Sequence, residues 1–290
     1  MKRRHVIERI STTGKLKFRI LAPTLGDVPD SLLKTSVDAR THSKLIFDIQ
    51  LLRGNVYREY GPIASQLLPD GRHFQSLDDT SWHVVLENEN GRILGCSRYR
   101  PVTGGFEQLG ASQSALASSR KYGPLLRNAV ERQIAHARNR NVQYGEAGMW
   151  ALRPEVRCST AAVNVALMTF VLAEKLGGGL GITTATTRHH SSSILRRLGG
   201  RRLGDLPAYY EPKYGCVIEI LHFSMSNLHP QYGNRLERLK QEVEDIEVVC
   251  ASLGTKRRRS QFEQPLYETG VYAHSRVPQP IHYSHLVSRM

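Results

Sequence analysis

Apolar residues recur at strand and helix spacing through the middle of the chain. The strand-like runs lie at 82–87, 91–98, 142–152, 181–187 and 216–223. Helical stripes begin after Ser43 and near residues 124, 159 and 191, and the first stripe stops at Gly61 and Pro62. After the first helix the order is β-β-α-β-α-β-α-β. This interleaving predicts an α/β (α+β) protein in which helices cover both faces of a mixed sheet.

Both ends of the chain have weaker patterns. Residues 1–43 are predicted to be an N-terminal extension with a short strand at Lys17–Leu21, and residues 44–224 to be the main domain. The C-terminal part, 225–290, is predicted to hold an exposed amphipathic helix at 233–250 and a basic, largely disordered tail from residue 255. No apolar run approaches the roughly 20 residues that cross a bilayer, and the first residues lack the apolar core of a signal peptide. A cytoplasmic protein is expected.

The composition limits the classes of partner and cofactor. The net charge of +14 is spread, with an excess of 5, 7 and 2 positive charges in 1–43, 44–224 and 225–290. The one dense run, Lys256–Arg259, has no interleaved aromatic residues, so nucleic acid is a less favoured partner than an acidic protein. The four cysteines are too scattered for a zinc site or a disulfide framework. His189 and His190 have no third ligand nearby, so no metal is predicted.

The segment from Leu152 to Ala162 combines the features of an anion site. A strand ends at Leu152, Pro154 breaks it, and Ser159 can cap the following apolar helix. The first N–H groups of that helix and the Arg157 guanidinium would then face an anion such as a diphosphate. The alternative is an ordinary strand, loop and capped helix with a solvated arginine.

The same segment resembles the acyl-donor loop of the GNAT acyltransferases, with Arg157 and Ala162 in place and Thr160 where glycine is usual. The block 186–200, with its Leu-Gly-Gly turn, and the run 206–223 are similar to the second half of the long-chain N-acyl amino acid synthases, a GNAT branch. Gly95-Cys-Ser-Arg-Tyr-Arg-Pro101 is similar to a motif of that branch and of the acyl-homoserine-lactone synthases. Over residues 44–224 the resemblance implies a GNAT fold, in which a bulged central strand splays from its neighbour to admit a thioester.

The resemblance also implies roles for particular residues. Glu146 is the candidate base for the attacking amine, its alternative being a surface glutamate, and Tyr214 is the candidate acid among Tyr209, Tyr210 and Tyr214. A backbone N–H near Leu152, at the bulge, would polarise the thioester carbonyl. The predicted donor site contains Leu152, Arg157, Ser159, Thr160, Ala161 and Ala162. The predicted acceptor pocket contains Arg53, Tyr57, Asp78, Trp82, Arg98 and Trp150.

Two of these roles have open alternatives. Arg98 either pairs with Asp78 or binds an acceptor carboxylate as a fork. Tyr57 and Trp82 either line a pocket or belong to the core. Met149 stands where the lactone synthases have an arginine, which favours a simple amino acid over S-adenosylmethionine as the acceptor.

The resulting hypothesis is an N-acyltransferase that moves a fatty acyl group from acyl carrier protein or coenzyme A to the amine of an amino acid, with no bound cofactor. An acidic carrier protein would meet a basic face formed by Arg153, Arg157, Arg188, Arg196, Arg197, Arg201 and Arg202. The alternatives are an acyl-homoserine-lactone synthase that uses S-adenosylmethionine and a non-catalytic basic binding protein.

Overall fold

A computed structural model describes residues 15–24, 26–59, 67–188 and 190–252. The helices in this part of the chain are α1 (Ala39–Arg58), α2 (Gly123–Asn139), α3 (Thr160–Lys175), α4 (Ser191–Arg197) and α5 (Gly233–Glu242). The strands are β1 (Lys17–Leu21), β2 (Thr35–Val37), β3 (Trp82–Glu87), β4 (Ile93–Val102), β5 (Gln143–Leu152), β6 (Gly178–Thr186), β7 (Arg201–Arg202), β8 (Tyr209–Glu211), β9 (Cys216–Ser224) and β10 (Val248–Cys250).

All of these strands belong to one sheet with the order β2-β10-β1-β3-β4-β5-β6-β9-β7, and β8 also pairs with β9. The pairs β2–β10, β10–β1 and β5–β6 are parallel, and the other pairs are antiparallel. Helices lie on both faces. The prediction of a mixed sheet covered by helices is therefore confirmed.

Strand β5 separates from β6 partway along its length. Their parallel pairing ends at Ala147 and Thr183, although β5 continues along β4 to Leu152 and β6 continues along β9 to Thr186. The register of β5 against β4 shifts opposite Ser97, where Met149 has a left-handed φ of 53°. A bulge of this kind bends a strand and increases its twist, which opens the sheet between β5 and β6.

Alternate side chains divide the core between the two faces. On one face, α1 and α2 pack their apolar stripes on the sheet through residues such as Leu52 and Ile134. On the other face, the almost entirely apolar helix α3 lies across the centre of the sheet, with α5 packed beside it. The two faces of β4 and β5 therefore have different surroundings: α1 and α2 cover one face, and α3 covers the other.

Several predicted boundaries are corrected. Helix α1 begins at Ala39 rather than after Ser43, because the side chain of Asp38 accepts the N–H of Thr41 and caps the helix one turn earlier. The predicted helix at 233–250 ends at Glu242, and the apolar, β-branched run that follows forms β10. The described sheet also extends beyond the predicted domain limits at residues 43 and 224, since β1, β2 and β10 pair within it.

Other predicted elements agree closely with the structure. The strand at Lys17–Leu21 is present, and α3 begins directly after Ser159 and is followed by Gly177 with φ 80°. Gly61, Pro62, His189 and the tail from residue 255 lie outside the described residues. None of the described helices is long and apolar enough to cross a membrane.

Candidate active site

A buried polar network joins α1 to the segment that precedes β3. The Arg53 guanidinium is fully buried and donates hydrogen bonds to the Asp78 carboxylate from both terminal nitrogens, with Nη1 2.9 Å from Oδ1. Gln50 Nε2 and the Gln75 backbone N–H also donate to Asp78 Oδ2, at 3.1 and 3.3 Å. The Arg53 Nη2 group further donates to the His73 carbonyl at 3.0 Å. Asp78 thereby fixes this segment against α1.

The segment can approach α1 closely because the helix has a glycine at the contact. A Cβ on Gly54 would overlap the Gly71 carbonyl oxygen. The His73 N–H donates to the carbonyl of the buried Gln50, one turn earlier on the same helix, at 3.0 Å. Helix α1 thus serves as the platform for the network.

The charges in this network shift the pKa values of its members. Burial alone would raise the pKa of Asp78, but the hydrogen bond and charge of Arg53 outweigh burial and hold it well below its usual range. Burial, reinforced by the charge of Arg53, lowers the pKa of His73 to about 4. Burial also lowers the pKa of His83 to about 4, and its Nε2 lies 3.0 Å from the Asp78 carbonyl. Both histidines are neutral at pH 7.

The network continues onto β4 because alternate residues of a strand share one face. Arg98 Nη1 donates to Asp78 Oδ1 at 3.2 Å and to Gln75 Oε1 at 2.9 Å. Two residues on, Arg100 faces Glu146 of β5, with Nη2 3.9 Å from Oε2. Arg98 therefore forms the ion pair with Asp78 that was one of its two predicted roles.

The Glu146 side chain is buried and held by the backbone of the loop before α2. Oε2 accepts the Gly110 N–H at 2.7 Å, and Oε1 accepts the Ala111 N–H at 3.1 Å. The carboxylate therefore has a fixed orientation, and the alternative of a surface glutamate is excluded. It lies one residue before the point where β5 leaves β6.

Two tyrosines lie near these charges. The Tyr57 hydroxyl lies 3.9 Å from the Met149 sulfur, and its ring packs edge-on against His73 with centroids 5.2 Å apart. Burial raises the pKa of Tyr214, and the charges of Arg98, Glu211 and Glu146 all act on its phenol. The structure therefore brings Arg53, Tyr57, Asp78, Arg98, Glu146 and Tyr214 together.

The predicted donor loop lies at the far end of the opening between β5 and β6. Ser159 caps α3 by accepting the Ala161 N–H at 3.2 Å. Arg157 turns back toward the strand: its Nε donates to the Leu152 carbonyl at 2.9 Å and its Nη2 to Glu59 at 3.0 Å. The Arg153 N–H donates to Leu94 of β4, so by strand alternation the Leu152 N–H is on the edge that faces away from β4.

An apolar cleft lies on the α3 face of the same strands. Its cavity volume is about 40 Å³, and it lies between β5, β6, α3 and the segment after β9. Its lining residues include Tyr99, Ala147, Phe170, Ala173, Leu198 and Phe223. Gly145 leaves room for the Tyr99 ring, which a Cβ at that position would overlap.

The structure locates three predicted features. Trp82 is buried in the core on the α3 face, one of its two predicted alternatives, because it alternates with His83, which points toward Asp78. Trp150 also packs against the α3-side core, so both tryptophans lie on the face opposite the Arg53–Asp78 network. The bulge lies at Met149–Trp150 rather than at Leu152. Met149 is the residue that adopts the left-handed conformation there.

Some site residues escaped the sequence analysis. His73 and Gln75 lie in a segment without a repeating apolar pattern, and their contacts depend on the docking of that segment against α1. His83 lies in the predicted strand 82–87, but its contact with Asp78 depends on the same docking. The position of Arg100 could be predicted from the sequence, since it lies two residues from Arg98 on the same face of a strand. Within the described residues, no group of three or more His, Cys, Asp or Glu side chains has the arrangement of a metal site.

Comparison with solved structures places this geometry in a known fold. The sequence matches no protein-family model and no curated protein sequence. The structure is similar to that of BjaI, a CoA-dependent acyl-homoserine lactone synthase, with SAM and isopentyl-CoA: the TM-score is 0.50 at 13% identity, covering 84% of this chain and 99% of that chain. The structure of BjaI with MTA gives the same TM-score and coverage at 14% identity. The chain has the GNAT fold.

A further similar structure is that of FeeM, an N-acyl amino acid synthase from uncultured soil microbes. Its TM-score is 0.47 at 12% identity, over 74% of this chain and 93% of that chain. In the GNAT fold of this protein, the predicted bulged and splayed central strand is β5. The polar network and the apolar cleft lie on its two faces.

Proposed function

We propose that this protein is an N-acyltransferase that moves a fatty acyl group from a thioester of acyl carrier protein or coenzyme A to the amine of an amino acid. One observation carries the proposal: a buried carboxylate with arginines and an apolar cleft lie on opposite faces of β5, beside the point where β5 leaves β6. A thioester held in that opening would have its chain on one side and its attacker on the other.

The donor side supplies an apolar volume and main-chain N–H groups. The acyl chain would occupy the cleft beside Ala147 and Phe170. The diphosphate or phosphopantetheine would approach the start of α3, where Ser159, Thr160, Ala161 and Ala162 place small side chains around the first N–H groups. The Leu152 N–H would donate to the thioester carbonyl oxygen as it gains negative charge.

The acceptor side supplies the proton transfers. The amine nitrogen attacks the thioester carbon and Glu146 takes the proton that the nitrogen loses. Collapse of the tetrahedral intermediate forms the amide and breaks the C–S bond. Tyr214, which burial keeps protonated at neutral pH, gives a proton to the departing thiolate. No covalent enzyme intermediate is required.

A carrier-protein donor would approach the arginines around α4 and β7. All four arginines of this region are exposed; Arg196 and Arg202 share Glu219, whereas Arg197 and Arg201 form no ion pair within the described residues. The predicted basic face also included Arg153 and Arg157, which bond to the Ile93 carbonyl and to Glu59. Reversal of charge at Arg197 and Arg201 should therefore weaken acyl carrier protein far more than acyl-coenzyme A as the donor, and equal losses with both donors would contradict carrier docking here.

The experiment that tests the function measures thiol release from long-chain acyl carrier protein and acyl-coenzyme A in the presence of pooled amino acids. Mass spectrometry of the organic extract should show a new N-acyl amino acid. The Glu146→Gln variant should lower kcat by about 10²- to 10⁴-fold, the contribution of a positioned general base. The exposed Glu237→Gln is the matched control, since Glu237 contacts only Lys240 of its own helix among the ion pairs of the described chain.

Two other outcomes have distinct products. Release of methylthioadenosine with formation of an acyl lactone from S-adenosylmethionine would identify a lactone synthase. Absence of thiol release with every acceptor, together with salt-dependent binding of RNA, would identify a binding protein without this activity.

A further inference from the structure

Arg100 differs from the other arginines of the site in the state of its hydrogen-bond donors. Its side chain is 11% exposed, and in the described part of the chain its Nε and Nη2 groups are buried without a hydrogen-bond partner. Arg53 donates from both terminal nitrogens to Asp78 and the His73 carbonyl, and its buried Nε has no partner. Arg98 donates from Nη1 to Asp78 and Gln75. Among these three arginines of the described chain, Arg100 is the one whose Nε and Nη2 are both buried without a partner.

The two vacant donors lie on the same edge of the guanidinium group. The N–H bonds of Nε and Nη2 run nearly parallel along that edge, which matches the spacing of two carboxylate oxygens. Buried donors of a charged group lower stability when they lack an acceptor, and a bound ligand is one way to supply it. A planar carboxylate is the group that satisfies both at once.

The nearest carboxylate of the protein does not satisfy them. Glu146 Oε2 lies 3.9 Å from Arg100 Nη2, beyond hydrogen-bond distance. The Glu146 oxygens are already directed toward the Gly110 and Ala111 N–H groups. The next carboxylate, Glu211, accepts the backbone N–H groups of Ala115 and Lys213.

The charge balance also leaves room for one anion. The two neighbouring ion-pair groups, Arg53–Asp78–Arg98 and Arg100–Glu146, together carry three positive and two negative charges. Burial and the charge of Arg98 both act to lower the pKa of Arg100, and a bound carboxylate would relieve this. One bound monoanion would make the cluster neutral.

We propose that Arg100 binds the α-carboxylate of the acceptor amino acid through Nε and Nη2, and so selects amino acids over simple amines. The inference rests on the proposed function. Because Arg100 and Glu146 are cross-strand partners, a carboxylate on Arg100 would place the amine of the same molecule near Glu146. Arg100 is then a specificity-determining residue, whereas Arg98 holds the network together.

The first test compares kcat/KM for phenylalanine, leucine and tyrosine with the values for phenethylamine, isopentylamine and tyramine. The wild-type protein should favour the amino acids, and Arg100→Met should reduce that preference by about 10- to 100-fold, mainly through KM. Arg100→Lys should recover part of it, since lysine keeps the charge and loses the fork. The exposed Arg132→Met on α2 is the matched control. A preference ratio does not depend on how much of a variant folds.

The second test measures binding without turnover. Titration calorimetry compares N-dodecanoylglycine with N-dodecanoylmethylamine, which lacks the carboxylate. Tighter binding of the glycine derivative that is lost in Arg100→Met supports the carboxylate site even if no acyl transfer is found, a result that would remove only the proposed function. Equal binding of the two compounds by the wild-type protein, or a preference that Arg100→Met leaves unchanged, would overturn the proposal.

Discussion

The two faces of β4 and β5 contrast in how completely their side chains are engaged. On the α1 face, Asp78 and Arg53 are joined to each other and to their neighbours by directed hydrogen bonds. On the α3 face, the same strands border an apolar cleft lined in part by the small residues Gly145 and Ala147. The adjacent residues Arg98 and Tyr99 point to the two different faces.

The contrast shows that the two faces of one strand can have different roles, one in fixing charged groups and one in binding an apolar chain. A charged network holds groups in fixed positions, since each member has specific partners. An apolar cleft tolerates variation in its occupant, because dispersion and hydrophobic contacts have little directionality. We therefore expect changes on the α1 face to alter stability and chemistry, and changes on the α3 face to alter which chain is accepted.

The largest effect should come from removing the centre of the network. Asp78→Ala leaves the buried Arg53 without its counter-charge and Arg98 without an acceptor, and should lower the free energy of unfolding by about 3 to 5 kcal/mol. Urea unfolding followed by circular dichroism measures this. The neighbouring, exposed Asp79→Ala is the control. Similar losses in both variants would show that the buried network is not what stabilises this face.

The buried histidines should give the network a dependence on pH. His73 and His83 have pKa values of about 4 when folded and about 6.5 when unfolded. Between these values the unfolded chain binds more protons, so stability is full above about pH 6.5 and falls as the pH drops toward 4. The loss is about 3 kcal/mol for each histidine as an upper bound.

Unfolding midpoints measured from pH 7.5 to 4.5 test this expectation. His83→Gln should flatten the dependence in that window, while the exposed His136→Gln should leave it unchanged. A slope that His83→Gln does not alter would assign the dependence to other groups. Protonation of Asp78 adds to the loss only at lower pH, because its pKa is held below the usual range.

On the α3 face, a larger side chain in the cleft should change the chain length that the protein accepts. Ala173→Phe places a ring among the lining residues and should lower kcat/KM for the longest acyl donors by about 10-fold or more. A two-carbon donor, which does not reach the cleft, is the internal control. Equal losses with long and short donors would show that the cleft does not hold the chain.

The smallest effect should follow from a change at the edge of the polar network. Tyr57→Phe removes only the contact between the hydroxyl and the Met149 sulfur and keeps the ring packed against His73. We expect a change of less than about 1 kcal/mol in stability and less than about 5-fold in kcat/KM, since a sulfur acceptor is weak. A larger loss of kcat/KM would give the Tyr57 hydroxyl a direct role with the acceptor.

The sequence determined the elements whose signals are local. The cap at Ser159, the apolar run of α3 and the stop at Gly177 depend on neighbouring residues, and the structure shows all three. The pairing of Arg98 with Asp78 was also among the predicted alternatives, because it followed from the motif on β4. Local propensity and spacing were sufficient for these features.

Only the tertiary structure decided which distant residues meet. Strand β10 was predicted as helix because a three-residue strand acquires its identity from the neighbours β1 and β2. Trp82 had two predicted alternatives, a pocket and the core, because the face of a strand depends on register, which a single segment does not specify; the structure buries it in the core. Likewise, only the pairing of β4 with β5 brings Arg100 beside Glu146. The loop N–H groups of Gly110 and Ala111 hold Glu146 away from hydrogen-bond distance, so the Nε and Nη2 donors of Arg100 stay without a partner.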